Sequence, residues 1–274
     1  PLVDKKLEQK VKYAKDLGMR TYIISNASLL TKKRATGLIE AGLDELRVSY
    51  YGMTKESYET VMVGLKFDVT MRNLHGFLEL RDELGSKKPR LELNWLELPE
   101  NATETQAFQD YWEPRADAIE IWKPHNFGDG RSYRERFDEV ALKNTCGRPE
   151  NGPLQIQWNG EVIPCCYDYN NVIVLGNAFE QPVLEILNGQ KYELLRKAHT
   201  EKKFDLFPFC NQCDQLLEHA DALVYTNRHN LPKEVAVKMS NTDLYNLVDN
   251  QPFDNNDFSE KYADGLVETE SSKG

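Results

Sequence analysis

All five cysteines of the chain fall between positions 146 and 213, and the 145 residues before them contain none. The spacings are Cys146-x18-Cys165, Cys165-x44-Cys210 and Cys210-x2-Cys213, with Cys166 directly after Cys165. Five is an odd number, and too few to form a disulfide framework for 274 residues. A C-x2-C pair brings two thiolates from one tight turn onto a single metal or cluster, and two separately placed cysteines can complete a tetrathiolate site. Three chemistries fit this pattern: an iron–sulfur cluster, a structural zinc, or unrelated buried thiols. Zinc ribbons usually carry two C-x2-C knuckles, whereas the first pair here is 18 residues apart. Neighbours in an extended chain point to opposite sides, so only one of Cys165 and Cys166 is expected to ligate.

The rest of the chain has the composition of an ordinary globular protein, 40% hydrophobic and 28% charged. With 34 Lys+Arg against 44 Asp+Glu the net charge is −10, which disfavours a general nucleic-acid or anionic-membrane surface. No run approaches 18 apolar residues and the opening PLVDKKLEQK is charged from its fourth residue, so neither a membrane span nor a signal peptide is expected, and the expected location is cytoplasmic. The first 125 residues alternate two periodicities. Strand-like runs stand at 21–25, 45–51, 89–98 and 117–124. Helical spacing stands at 4–17, at 31–42 after a Thr31 cap, from Thr54, around Phe77, and after a Thr103/Gln106 capping box. Such βα repetition predicts an α/β fold with parallel strands, and periodicity alone does not separate a barrel from an open sheet. Beyond residue 144, short strands are expected at 154–158 and 172–176 and a helix at 183–199. From about residue 250, six acidic and two basic residues with little periodicity predict a disordered acidic tail.

The cysteine words are specific. CGRP (146–149), LQIQWNGEVIPCCYD (154–168) with its Gly160-x4-Cys165 spacing, LGN (175–177) and FPFCNQC (207–213) resemble the auxiliary-cluster extension of radical S-adenosylmethionine (SAM) enzymes. That extension is called a SPASM domain, or a twitch domain in its shorter form. The full pattern continues with x5-Cys-x3-Cys. Here the first of those positions is His219 and no later cysteine exists, so the chain resembles the shorter form. Upstream, SNASLLT (25–31) and AGLDELRVSYYG (41–52) are similar to the words around the third and fourth barrel strands of the family.

The resemblance implies a partial radical-SAM (βα)6 barrel over residues 1–143, about strands 3–6, and a small α+β cluster-binding domain over 144–222. A C-terminal extension over 223–274 would follow. It also implies that Cys146, Cys165, Cys210 and Cys213 hold one auxiliary [4Fe-4S] cluster, with the Gly-x4-Cys spacing favouring Cys165 over Cys166. Ser49 matches the residue that reaches SAM on the fourth strand, while Asn26 and Asn94 lie near strand ends, where barrel sites are assembled. Arg47 shares a face with Ser49 and can meet a carboxylate. His125, Asn126 and Arg131 occupy the loop after the last barrel strand, a position expected to face substrate. The implied activity is that of a radical SAM oxidoreductase or maturase: reductive SAM cleavage and hydrogen abstraction from a small-molecule or peptide substrate, with a flavodoxin or ferredoxin as reductant. The C-x3-C-x2-C motif that would hold the second [4Fe-4S] cluster is absent from the sequence and is expected upstream of Pro1. The alternative is a non-catalytic, zinc-stabilised scaffold on a degenerate barrel.

Overall fold

A computed structural model describes residues 1–128, 143–217 and 223–228. Arg131, His219 and the acidic tail lie outside the described residues. The chain divides into two compact units; of the described residues, the first takes 1–123 and 223–228 and the second takes 124–128 and 143–217. The division at 123/124 falls earlier than the expected 143/144. Residues 223–228, expected to open a C-terminal extension, return instead to the first unit. No helix among the described residues is long and apolar enough to cross a membrane.

The first unit runs α1 (Leu7–Asp16), β1 (Tyr22–Ser25), α2 (Lys32–Glu40), β2 (Glu45–Ser49), α3 (Lys55–Val61), α4 (Phe67–Glu83), β3 (Arg90–Leu96), α5 (Thr105–Trp112) and β4 (Ala118–Trp122). The four strands pair in chain order and all in parallel, as the βα alternation predicts. A returning strand, Leu223–Thr226, adds antiparallel to β4. The fold is therefore mixed α/β around a parallel sheet, as expected for part of such a barrel.

Strand alternation decides what the sheet buries. Leu46 and Val48, Leu91, Leu93 and Trp95, and Ile119 and Ile121 share one core with Leu38, Leu74, Phe77, Phe108 and Trp112 of the helices. Tyr50, at the end of β2, is fully buried among Tyr58, Phe67, Phe108 and Trp112, with ring centroids 5.3–6.5 Å away. The opposite face of the same strands carries Glu45, Arg47, Ser49, Glu92, Asn94 and Glu120.

Two acids, Asp44 buried and Asp117 at the surface, pin the entry ends of the strands. Asp44, just before β2, accepts from Lys15 at 2.7 Å, the Thr21 amide at 2.9 Å and Lys88 at 3.0 Å. Burial opposes its ionisation, but these donors prevail and hold its carboxyl at about 2. Asp117, just before β4, pairs with Arg81 and takes the Leu91 amide at 2.7 Å.

Thr31 caps α2 by accepting the Arg34 amide, and Thr54 and Ser57 form a reciprocal capping box at α3. The box expected at Thr103 and Gln106 does not form. A 3-10 turn, Ala102–Glu104, occupies that entrance, and α5 starts at Thr105 with no side-chain cap. Glu104 is drawn across to the loop after β2, where it accepts from Met53 N–H at 2.6 Å, Ser57 Oγ at 2.6 Å and Thr54 Oγ1 at 2.8 Å.

Burial pushes the Glu104 carboxyl up, but the donors from Ser57, Met53 and Thr54 outweigh it and leave the group below its ordinary value. A lowered carboxyl stabilises the fold fully above its unfolded value and loses that contribution as pH falls through the folded one. Glu104→Ala should cost about 1–3 kcal/mol at pH 7, the range for stranding buried donors. In thermal melts by circular dichroism, the gap from wild type should narrow as the pH falls below about 4.

Candidate metal centre

The second unit has little regular structure: α6 (Arg148–Asn151), β5 (Gln155–Ile156), β6 (Glu161–Ile163), β7 (Gly176–Asn177), α7 (Val183–Leu187), α8 (Gln190–Thr200) and α9 (Pro208–Asn211). β6 is the middle strand of a three-stranded antiparallel sheet. The turn into it uses Gly160 at φ +85, where an added Cβ would sit 2.4 Å from Asn177 Oδ1. Residues 172–175, expected as strand, do not form one, because the amides of Val172 and Ile173 are taken at 2.8 Å by the fully buried Asp168 carboxylate. The expected helix over 183–199 breaks between α7 and α8 at Gly189, where a Cβ would meet the Glu185 carbonyl at 2.9 Å.

Backbone N–H groups reach three of the four candidate sulfurs. Cys146 precedes Gly147, whose φ of +76 turns the chain into α6 and brings the Arg148 amide onto the thiol. Cys165 receives the amides of Tyr167 and Asp168. Cys210 lies in α9, the Cys213 amide donates to its carbonyl at 3.0 Å, and Cys213 receives the Gln215 amide. Cys210 and Cys213 are buried, Cys146 and Cys165 half-buried, and Cys166 is exposed.

Burial pushes all four thiols above their ordinary value, Cys213 to about 12, and the charges of Cys146, Cys165 and Cys213 push Cys210 up further. Charge on Cys146 and Cys165 thus opposes ionisation of both Cys210 and Cys213, and a cationic centre would let all four be thiolates together. Among the described residues, the ligand-type atoms that come within 4.8 Å of one another as a trio belong to His125, Cys213 and Asp214, not to any three of the four sulfurs. A single zinc about 2.3 Å from four thiolates needs sulfurs about 3.8 Å apart. Among the described residues, no three of the four sulfurs stand that close together.

His125 and Asn126 do not face an open site. Both are buried against the turn that carries Cys213. Asn126 donates from its backbone to Asp214 Oδ2 at 3.1 Å and from its side chain to the Gln212 carbonyl at 2.6 Å.

In the first unit, Ser49 and Asn94 are register partners on the polar face, and both are half-buried. Asn26 is exposed just beyond β1, where its Oδ1 accepts from the Ser28 amide and hydroxyl at 3.1 and 2.8 Å. The structure therefore brings Ser49 and Asn94 together, while the Asn26 carbonyl closes a turn. Arg47 does meet carboxylates, pairing with Glu45 and standing 3.4 Å from Glu92. Arg228, from the returning segment, reaches Glu45 at 3.1 Å and Glu92 at 3.2 Å. Glu120 lies beside them and accepts from Trp122 Nε1 at 3.1 Å.

Residues 146–214 match the SPASM family, described as an iron–sulfur cluster-binding domain, and the match runs from Cys146 to Asp214. These residues are a SPASM iron–sulfur domain. The chain is also 23% identical over 257 residues to the tungsten-containing aldehyde ferredoxin oxidoreductase cofactor-modifying protein of Pyrococcus furiosus, covering 78% of this chain and 70% of that one. Among solved structures, BtrN in complex with AdoMet and 2-DOIA is 20% identical, with 82% of this chain and 74% of that one covered and a TM-score of 0.47. SuiB of Streptococcus suis is 15% identical, with coverages of 69% and 54% and a TM-score of 0.48. The SPASM domain agrees with the resemblance read from the cysteine words.

Sequence reasoning passed over Asp214, Arg228 and the acids of the polar face. Alternation within ELRVS, RLELNWL and AIEIW does carry the signal for Glu45, Glu92 and Glu120, since each falls out of phase with the apolar residues. Arg228 has no such signal. Burial, and then Glu92, push the Glu120 carboxyl up from its ordinary 4.5 to about 7, against the partial relief of Arg228 and Arg47. A raised carboxyl costs the fold stability as pH climbs from the unfolded value to the folded one. Glu120→Gln should therefore melt higher than wild type at pH 8 and show little gain at pH 5. Equal gains at both pH values would place Glu120 in an ordinary ionised environment.

Proposed function

We propose that the chain acts as the C-terminal part of a radical SAM enzyme whose SPASM domain holds a [4Fe-4S] cluster on Cys146, Cys165, Cys210 and Cys213. The observation that carries this reading is the four-sulfur set itself: buried or half-buried, with every thiol pushed up by burial and three of the four supplied with backbone N–H donors. Cys166, exposed and turned toward Arg148 at 3.9 Å, stays outside the set. The sulfur spacing does not favour the zinc scaffold.

SAM, bound to a second [4Fe-4S] cluster, would supply the 5′-deoxyadenosyl radical for hydrogen abstraction. In this chain Ser49 and Asn94, with Asn26 at the neighbouring strand end, would hydrogen-bond SAM from the polar face. The charged network of Arg47, Glu45, Glu92 and Arg228 keeps that face rigid and dry beneath them. The SPASM cysteines would place the auxiliary cluster to pass an electron or to help hold the substrate. The substrate class is a small molecule or peptide, and the Pyrococcus furiosus relative, named for modifying a cofactor, favours the former. A flavodoxin or ferredoxin is the fitting reductant.

Anaerobic reconstitution with iron and sulfide tests the centre. Wild type and Cys166→Ser should take up about four irons with matching sulfide, and Ser at 146, 165, 210 or 213 should lower both. Stoichiometric zinc without sulfide would overturn the reading.

A further inference from the structure

His125 and Asp214 are not among the proposed ligands, yet both are buried at one of them. Asp214 follows Cys213 directly. The Asp214 amide donates to Asn126 Oδ1 at 3.1 Å, the reverse of the Asn126 bond to its carboxylate, so the two turns are locked in both directions. The Phe127 amide donates to His125 Nδ1 at 2.7 Å, so the neutral ring carries its proton on Nε2. That nitrogen stands 2.8 Å from Asp214 Oδ1 and 3.7 Å from Cys213 Sγ. Tyr167, two residues past Cys165, lies flat on the imidazole with ring centroids 3.6 Å apart and planes 11° from parallel. The Arg148 guanidinium lies over the Tyr167 ring at 4.5 Å and donates to its hydroxyl at 3.2 Å.

We propose that His125 and Asp214 are a positioning pair that sets the reduction potential of the SPASM cluster through Cys213. This rests on the cluster reading above. Reduction adds negative charge to the cluster and its sulfurs, so a donor at a sulfur favours the reduced state and a nearby anion opposes it. His125 supplies the donor and Asp214 the anion, and Nε2 stands between the carboxylate and the sulfur. The two side chains therefore act in opposite directions. Removing the imidazole takes the donor from Cys213, which lowers the potential. Removing the Asp214 charge in the same shape raises it. A pair that only braced two loops would not give opposite signs.

The test is a redox titration, followed by electron paramagnetic resonance, of the anaerobically reconstituted 274-residue chain. The variants are His125→Phe, which keeps a ring against Tyr167, and Asp214→Asn. Iron and sulfide should match wild type in both. His125→Phe should make reduction about tenfold less favourable and Asp214→Asn about tenfold more favourable, each about 59 mV for a one-electron couple. Unchanged potentials, shifts of the same sign, or loss of iron from either variant would overturn the pair's role and leave the cluster reading standing. A wild-type chain that takes up no iron and sulfide would end the cluster reading, and this proposal with it.

Discussion

Four thiols, two buried and two half-buried, set the terms for the second unit. Its strands are two or three residues long and its apolar core is small, built on Val162, Leu175, Ile186, Tyr192, Leu195 and Phe209. Strands that short do not hold a sheet together unaided. The ligand turns come from three separate places: the entry to α6, the turn after β6, and α9 with the residues that follow it. A centre bonded to all four sulfurs, as proposed, would link those places, so its binding energy would add directly to the stability of the unit. Backbone donors at Cys146, Cys165 and Cys213 favour anionic sulfur, since an amide pointing at a neutral thiol gains little.

The first unit carries its own core and uses it differently. One face of the parallel sheet buries a continuous apolar layer, and the other carries charge. Glu45, Glu92, Arg47 and Arg228 neutralise one another, and Glu120 remains the carboxyl that burial disfavours most. Buried ion networks are seldom the most stable filling for such a space, because desolvation takes back most of the attraction. Apolar residues would serve stability better there. The sheet keeps four charged side chains on one face, met there by Arg228, and Ser49 and Asn94 stand above them toward the strand ends, where barrel sites are assembled.

What could be read from the sequence divides along the same line. All four parallel strands, Thr31 and Thr54 as caps, and the cysteine words lie within short windows, where periodicity, capping chemistry or spacing carries them. Features that depend on distant partners left no such trace. Glu104 abandons a local cap for amides and hydroxyls about 50 residues away. Asp168 withdraws two amides from an expected strand. Arg228 reaches Glu45 across 183 positions, and Asn126 meets Asp214 across 88. Nothing periodic connects such pairs. His125 was legible as a residue worth attention, but its place could not be read, because a loop after a strand looks the same whether it opens to substrate or folds onto a cysteine turn.

The word Cys165-Cys166-Tyr167-Asp168 shows how closely spaced residues can be given separate tasks. Cys165 turns inward to the other sulfurs, Cys166 faces out toward Arg148, Tyr167 stacks on His125, and Asp168 is fully buried with two amides on its carboxylate. A slip of one residue would exchange the inward and outward sulfurs and carry Tyr167 off the imidazole. Two adjacent, chemically identical thiols cannot set the register between themselves. Asp168 can, because its carboxylate would lose both amides and be left buried without them. Which of the two thiols turns inward thus rests on the carboxylate of an aspartate three residues away, whose own amide reaches the Cys165 sulfur.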